Sequence, residues 1–161
     1  MPGYKGHIAA GLIFGVLLIA GLAFSPLVSA LEPIELVRDA VIVLWLAVLF
    51  ALFPDVDIKS KGQILFYRIF VLLDIVLLTQ KLFIEAALLG FLAMLPIISK
   101  HRGWTHSIWA MVFVPSPILL VPMYLADDWV LDGLPYYLGA VAGYLSHLVA
   151  DGVLLRRLRR R

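Results

Sequence analysis

Long apolar stretches alternate with short polar segments along the whole chain. Each stretch approaches the length of about 20 residues that a helix needs to cross a bilayer. Because the backbone must satisfy its own hydrogen bonds in lipid, the stretches predict helices. There are six of them, with approximate limits at 8–28, 37–54, 63–80, 82–99, 105–125 and 134–155. Within the fifth, the prolines of "PSP" at 115–117 and Pro122 predict interruptions. The short connections predict an all-α fold, a polytopic membrane bundle of about six transmembrane helices in which residues 1–161 form one domain.

The composition agrees with a membrane location. Hydrophobic residues make up 63% of the chain and charged residues only 15%. A water-soluble domain of this size carries about 25% charged residues, so we expect an integral protein of the cell or inner membrane. The chain has no cysteine, which excludes disulfides and thiolate metal ligands. Any metal site must therefore use histidine and carboxylate side chains.

The basic residues are concentrated at one end of the predicted bundle. With six spans, this end receives the N-terminus, the loops after the second and fourth helices, and the C-terminal tail. Its basic residues are Lys5, Lys59, Lys61, Lys100, Arg102, Arg156, Arg157, Arg159, Arg160 and Arg161. The positive-inside rule places this end, with both termini, in the cytoplasm. The last five arginines are expected to bind anionic lipid headgroups, and no nucleic-acid binding is expected because topology accounts for the positive charge.

Histidines and aspartates gather at the same end. All four histidines of the chain fall there, together with the aspartates of the segments "PDVD" and "SHLVAD". Neutral imidazole and carboxylate together suit zinc, manganese, iron or nickel. The predicted metal ligands are His7, Asp55, Asp57, His101, His106, His147 and Asp151.

The pair His147 and Asp151 carries most of this argument. The two residues are four positions apart, so on a helix they share one face and can bind one ion. By the predicted helix limits they lie roughly 6–12 Å below the membrane boundary, where a carboxylate costs a few kcal/mol. Metal ligation would offset that cost.

The segment "HRGWTHS" predicts a turn that leads into the fifth helix. Gly103 permits the turn, and either Thr105 or Ser107 would cap the helix that follows. His106 would then lie in the first turn of that helix, with its ring toward the mouth of the bundle.

Several of these motifs resemble those of a known family. The segments "PDVD", "HRGWTHS" and "GYLSHLVAD", with an N-terminal "GH", are similar to those of the membrane-bound metal-dependent hydrolases, the group that includes the YdjM-like, LexA-regulated inner-membrane hydrolases. The resemblance covers nearly the whole chain, in order. It implies a metal-dependent hydrolase and marks the same seven residues as functional. The types of ligand are also similar to those of zinc-dependent phospholipases C.

These observations lead to a hypothesis about the reaction. Seven candidate ligands exceed the four or five that one ion needs, so we expect two divalent ions, zinc or manganese in particular. They would activate a water for attack on a phosphorus or carbonyl centre, with Asp55 or Asp57 as bridging ligand or base and Arg102 stabilising the developing negative charge. A site just below the cytoplasmic boundary favours a phosphoester of a lipid or lipid-linked substrate.

Two other functions remain open at this point, a divalent metal transporter and a metal-stabilised membrane protein without catalysis. Transport sites usually lie near the midplane with polar groups toward both faces, and only Asp74 and Glu85 continue such a path here. A structural site would have a complete ligand shell. Asp74 would pair with Arg68 or with the backbone, and both acidic residues are placed outside the predicted site.

Overall fold

A computed structural model describes residues 3–25, 32–56, 61–98, 104–125, 131 and 133–152. Within these ranges the chain forms helices and turns and no strand, which confirms the predicted all-α membrane fold. The helices are α1 (Tyr4–Leu22), α2 (Pro33–Leu52), α3 (Lys61–Thr79), α4 (Phe83–Ile98), α5 (Ile108–Phe113), α6 (Ser116–Leu125) and α7 (Leu134–Ala150). Among the described residues, three segments are long and apolar enough to cross a membrane, namely Tyr4–Leu22, Pro33–Asp55 and Lys61–Thr79.

The centre of the fold is a three-helix contact between α1, α2 and α7. Small residues recur every four positions at this contact, as Gly11 and Gly15 on α1 and as Gly139 and Gly143 on α7. A Cβ atom at Gly143 would collide with the backbone of Ala47 on α2. Small residues allow helix backbones to approach closely in a membrane, where packing rather than hydrophobic burial drives helix association.

The same four-residue repeats lead to polar side chains at one end of this contact. His7 lies four residues before Gly11. His147 and Asp151 lie four and eight residues after Gly143. Residues four positions apart lie on one face of a helix. The close packing of the three helices therefore directs these polar side chains toward a common point.

An outer layer formed by α3 and α4 packs beside the three central helices. Phe66 on α3 contacts Phe53, with ring centroids 5.8 Å apart, and stacks on Phe70 at 4.3 Å. The Tyr67 hydroxyl donates a hydrogen bond to the Ala93 carbonyl of α4 at 3.2 Å. The buried apolar cluster around Phe53 thus joins the outer layer to the central helices near the polar end.

The predicted fifth helix is divided into two. α5 ends at Phe113 and α6 begins at Ser116, whose hydroxyl donates a hydrogen bond to the Phe113 carbonyl at 2.7 Å. Pro115 lies between them and has no N–H to continue the ladder. This division confirms the interruption that the sequence predicts at residues 115–117. Pro122, the second predicted interruption, lies inside α6 and does not end it.

The ends of α1 and α7 also differ from the prediction. α1 begins at Tyr4, so that His7 lies inside its first turns, and it ends at Leu22 rather than near residue 28. α7 ends at Ala150 rather than near residue 155, because Gly152 adopts a left-handed conformation with φ +66°, a common helix stop. Asp151 is therefore the C-cap residue of α7 and does not lie a full turn before the end of the helix.

The opposite end of the central helices holds a second polar group. Arg38 Nε donates a hydrogen bond to Asp39 Oδ1 at 2.8 Å, and the Tyr136 hydroxyl of α7 donates to the same oxygen at 2.8 Å. This triad joins the start of α2 to the start of α7.

Candidate metal centre

Five polar side chains from four parts of the chain converge at one end of the central helices. They are His7 of α1, Asp55 of the turn after α2, His106 of the Trp104–His106 turn, and His147 and Asp151 of α7. All except Asp55 are largely buried, and the Asp55 side chain is 33% exposed. Asp55 is therefore the member of the group that an incoming molecule reaches most easily.

The imidazole nitrogens and carboxylate oxygens face one another at nearly equal distances. His7 Nε2 lies 3.7 Å from Asp55 Oδ2 and 3.6 Å from Asp151 Oδ1. His106 Nε2 lies 3.4 Å and His147 Nε2 3.6 Å from Asp55 Oδ1. The remaining two distances, from these nitrogens to Asp151 Oδ2, are 3.9 and 3.7 Å.

These distances fit shared coordination better than direct hydrogen bonding. They exceed the usual N–H···O range of about 2.7–3.2 Å. Ligands at about 2.1 Å from a tetrahedral ion would lie about 3.4 Å from one another. Among the described residues, Asp55, His106, His147 and Asp151 can each offer one ligand atom within 4.8 Å of the others.

The hydrogen bond of His147 defines how its ring is protonated. His147 Nδ1 lies 2.8 Å from the Ala51 carbonyl, which can only accept, so Nδ1 carries the proton. In the neutral ring, the lone pair of Nε2 then points at the carboxylates. Such a backbone contact on the far nitrogen is typical of histidines that bind a metal.

Several buried atoms of the group have no hydrogen-bond partner within the described part of the chain. They are both ring nitrogens of His7, His147 Nε2 and Asp151 Oδ1. Leaving a buried polar atom unsatisfied costs about 1–3 kcal/mol. The rings of His7 and His147 stack with centroids 4.0 Å apart, which brings their unsatisfied nitrogens to the same place. Because a neutral imidazole carries one N–H, each ring offers one lone pair. A bound cation would accept these two lone pairs together with one from Asp151 Oδ1.

A hydrogen bond from α7 holds the turn that carries His106. The Tyr144 hydroxyl donates to the Thr105 carbonyl, and the Thr105 hydroxyl lies 3.3 Å from His106 Nδ1. Tyr144 and Thr105 are fully buried. The sequence prediction missed Tyr144, although its position three residues before His147 places it near the same face of α7.

The cap of α5 corrects the predicted place of His106. Ser107 Oγ accepts a hydrogen bond from Ala110 N–H at 3.0 Å, which makes Ser107 the N-cap. Ser107 has an extended backbone, with φ −109° and ψ 154°. His106 therefore lies in the turn before the cap and not in the first turn of the helix.

The remaining predicted functional residues lie outside the described ranges. They are Asp57, His101, Arg102, Arg156, Arg157, Arg159, Arg160 and Arg161. Asp74 and Arg68 are both described, and no ion pair joins them: Asp74 Oδ1 is buried without a hydrogen-bond partner among the described residues, and Arg68 is exposed. Both stay apart from the five converging side chains.

Comparison with known proteins decides the family. The model of the YdjM inner membrane protein family matches residues 1–156. The chain belongs to this family. Searches of curated proteins and of solved structures found no match. Membership of the YdjM family confirms the resemblance seen in the motifs. Together with the three apolar segments of spanning length among the described residues, it supports a location in the membrane.

Proposed function

We propose that this protein is a membrane-embedded, metal-dependent hydrolase whose metal centre is the group of five converging side chains. The observation that carries the proposal is that three imidazoles and two carboxylates, most of them buried, point at one another 3.4–3.9 Å apart. Their buried unsatisfied atoms support the proposal, because a bound cation would compensate for the hydrogen bonds that these atoms lack.

The donor set indicates which ion fits. Imidazole nitrogen and carboxylate oxygen without sulfur suit zinc or manganese. The described side chains are sufficient for one ion. The second ion implied by seven candidate ligands would draw on Asp57 and His101.

The burial of the ligands divides their roles. His7, His106, His147 and Asp151 are largely buried and would hold the ion. When bound, a divalent ion at this site would lower the pKa of a coordinated water toward about 7 and polarise the bond to be cleaved. Asp55, the exposed member, would accept the proton of the attacking water. Arg102 remains the proposed contact for developing negative charge.

The location of the site supports a lipid substrate. The group lies where α1 begins and where α2 and α7 end, so it lies at a boundary of the apolar layer and not at its centre. A phosphoester headgroup could reach this site while its acyl chains stay in the hydrocarbon. Because most basic residues of the chain share this end, we place it on the cytoplasmic side.

The test is a joint measurement of metal content and hydrolysis. The full chain, purified in detergent, would be analysed for bound metal and assayed for phosphate release from a panel of phospholipids and lipid-linked phosphates. His147→Ala and Asp151→Asn should lose both metal and activity, since each removes a ligand. Asp39→Asn, at the opposite end, is the matched control and should retain both.

Other outcomes would count against hydrolysis. Metal flux into liposomes without phosphate release would favour a transporter. Bound metal with no hydrolysis and a large loss of stability on chelation would favour a structural role. Equal metal content in the wild-type and ligand variants would refute the metal centre itself.

A further inference from the structure

α3 carries an exposed arginine inside a segment of membrane-spanning length. Arg68 is seven residues beyond Lys61, or about 10 Å along the helix, within the candidate span Lys61–Thr79. No described residue forms an ion pair with it. Arg38 on α2 differs, since its Nε lies 2.8 Å from Asp39 Oδ1. Arg68 is thus a cation in an apolar setting, with no negative partner in the part of the chain that the structure describes.

The arginine belongs to an otherwise mostly apolar face. Positions spaced by three and four residues share one side of a helix. On α3 these positions are Ile64, Tyr67, Arg68, Val71 and Leu72, and they line an open groove of about 600 Å³. The buried side of α3, with Phe66 and Phe70 in the apolar core, lies opposite. The groove is therefore on the outer surface of the fold.

We propose that this groove binds one anionic phospholipid, with its phosphate on the Arg68 guanidinium and an acyl chain along Val71 and Leu72. A guanidinium matches a phosphate with two parallel hydrogen bonds. The long arginine side chain can extend toward the Lys61 end of the helix, where headgroups lie, while its stem stays against apolar surface. The headgroup of a zwitterionic lipid contains a positively charged ammonium group, which reduces its net attraction to Arg68. The positive charge of Arg68 therefore favours an anionic headgroup.

This lipid site is separate from the proposed metal centre. The groove faces away from Phe66, which contacts Phe53 in the turn after α2, and from Phe70, which belongs to the same buried cluster. Tyr67, which also lines the groove, is hydrogen-bonded to Ala93 on α4. A bound lipid would therefore stabilise the outer layer of α3 and α4, and it would not contribute to coordination.

Lipid binding can be measured by native mass spectrometry of the delipidated full chain in detergent. The probes are phosphatidylglycerol and phosphatidylcholine with identical acyl chains. We expect the wild type to bind one phosphatidylglycerol about tenfold more tightly, as a charge-assisted hydrogen bond predicts. Arg68→Gln should remove this preference, and Arg68→Lys should keep part of it, since lysine retains the charge without the planar fork.

Arg38→Gln is the matched control, because Arg38 already has a carboxylate partner; its preference should equal that of the wild type. Glycerol phosphate, which has no acyl chains, should compete only weakly with phosphatidylglycerol if the whole lipid is the ligand. Competition as strong as that of the lipid itself would show that the headgroup phosphate alone is recognised, and would overturn the acyl-chain part of the proposal. Zinc content should be unchanged in Arg68→Gln, which distinguishes this site from the metal centre.

Equal affinity of the wild type for both lipids would overturn the proposal, as would a preference that survives Arg68→Gln. A dimer that Arg68→Gln converts to monomer, with no lipid bound, would show that a second copy of the chain occupies the groove instead. If Arg68→Gln does not fold, the comparison of the two lipids on the wild type and on Arg68→Lys decides the question.

Discussion

The two ends of the central helices hold polar groups of opposite character. At the start of α2 and α7, Asp39 accepts hydrogen bonds of 2.8 Å from both Arg38 and Tyr136. At the end of the same two helices, Asp55 and Asp151 lie 3.4–3.9 Å from three imidazole nitrogens, farther than the usual hydrogen-bond distance. The first end is complete in itself, whereas the second leaves buried polar atoms without a hydrogen-bond partner among the described residues.

The two ends differ in how many hydrogen-bond donors face the carboxylates. An arginine and a tyrosine hydroxyl both donate to a carboxylate, so the first end satisfies itself. A neutral imidazole whose far nitrogen donates to the backbone, as in His147, can only accept at the other. Acceptors gathered against acceptors repel one another unless a cation lies between them. Burial alone therefore does not mark a site, whereas an excess of acceptors does.

The largest expected effect concerns the packing that both ends share. In Gly143→Ala the new methyl group would meet the backbone of Ala47, which cannot move aside as a side chain can. We expect the free energy of unfolding to fall by about 3 kcal/mol, the upper end of the usual overpacking range, and both ends to be disturbed. Thermal unfolding in detergent measures this. Gly90→Ala on α4 is the control, since a methyl group there meets nothing within 4 Å; similar losses in both variants would contradict the close three-helix contact.

The second prediction tests the contrast between the ends directly. Zinc at about a hundredfold excess over its Kd should raise the free energy of unfolding by about 2.7 kcal/mol, seen as a rise in Tm that EDTA reverses. Asp151→Asn should lose most of this increment, because it removes a carboxylate ligand. Asp39→Asn should show the same zinc-dependent rise in the free energy of unfolding as the wild type. Without metal, it should be about 1 kcal/mol less stable than the wild type. A zinc-dependent rise of equal size in Asp151→Asn would remove the distinction between the two ends.

The smallest effect comes from the two tyrosine hydroxyls. Tyr136→Phe and Tyr144→Phe each remove one hydrogen bond and should each cost about 1 kcal/mol of stability. Only Tyr144→Phe should also weaken zinc binding, by about tenfold, as expected for a residue that positions a metal ligand through Thr105. Isothermal titration with zinc separates the two variants. Unchanged zinc affinity in Tyr144→Phe would mean that Tyr144 supports the fold without positioning His106.

Much of the candidate site could be predicted from the sequence. His7, Asp55, His106, His147 and Asp151 were all predicted from residue type and from the end of the bundle at which they fall, and the structure brings them together. Whether they bind a metal stays a prediction. The partners that orient them were not foreseen, because the acceptor for His147 is a backbone carbonyl 96 residues away. Every residue has a carbonyl, so no pattern singles out that of Ala51.

The sequence by itself determined the helical class, the membrane location and the end at which the polar residues gather, because these depend on local hydrophobicity and on the alternating direction of successive helices. Only the tertiary structure decided which faces meet. That choice depends on steric fit between distant segments, such as Gly143 against Ala47. The same fit decided that five side chains face one point, since a difference of one helical position would turn each of them about 100° away.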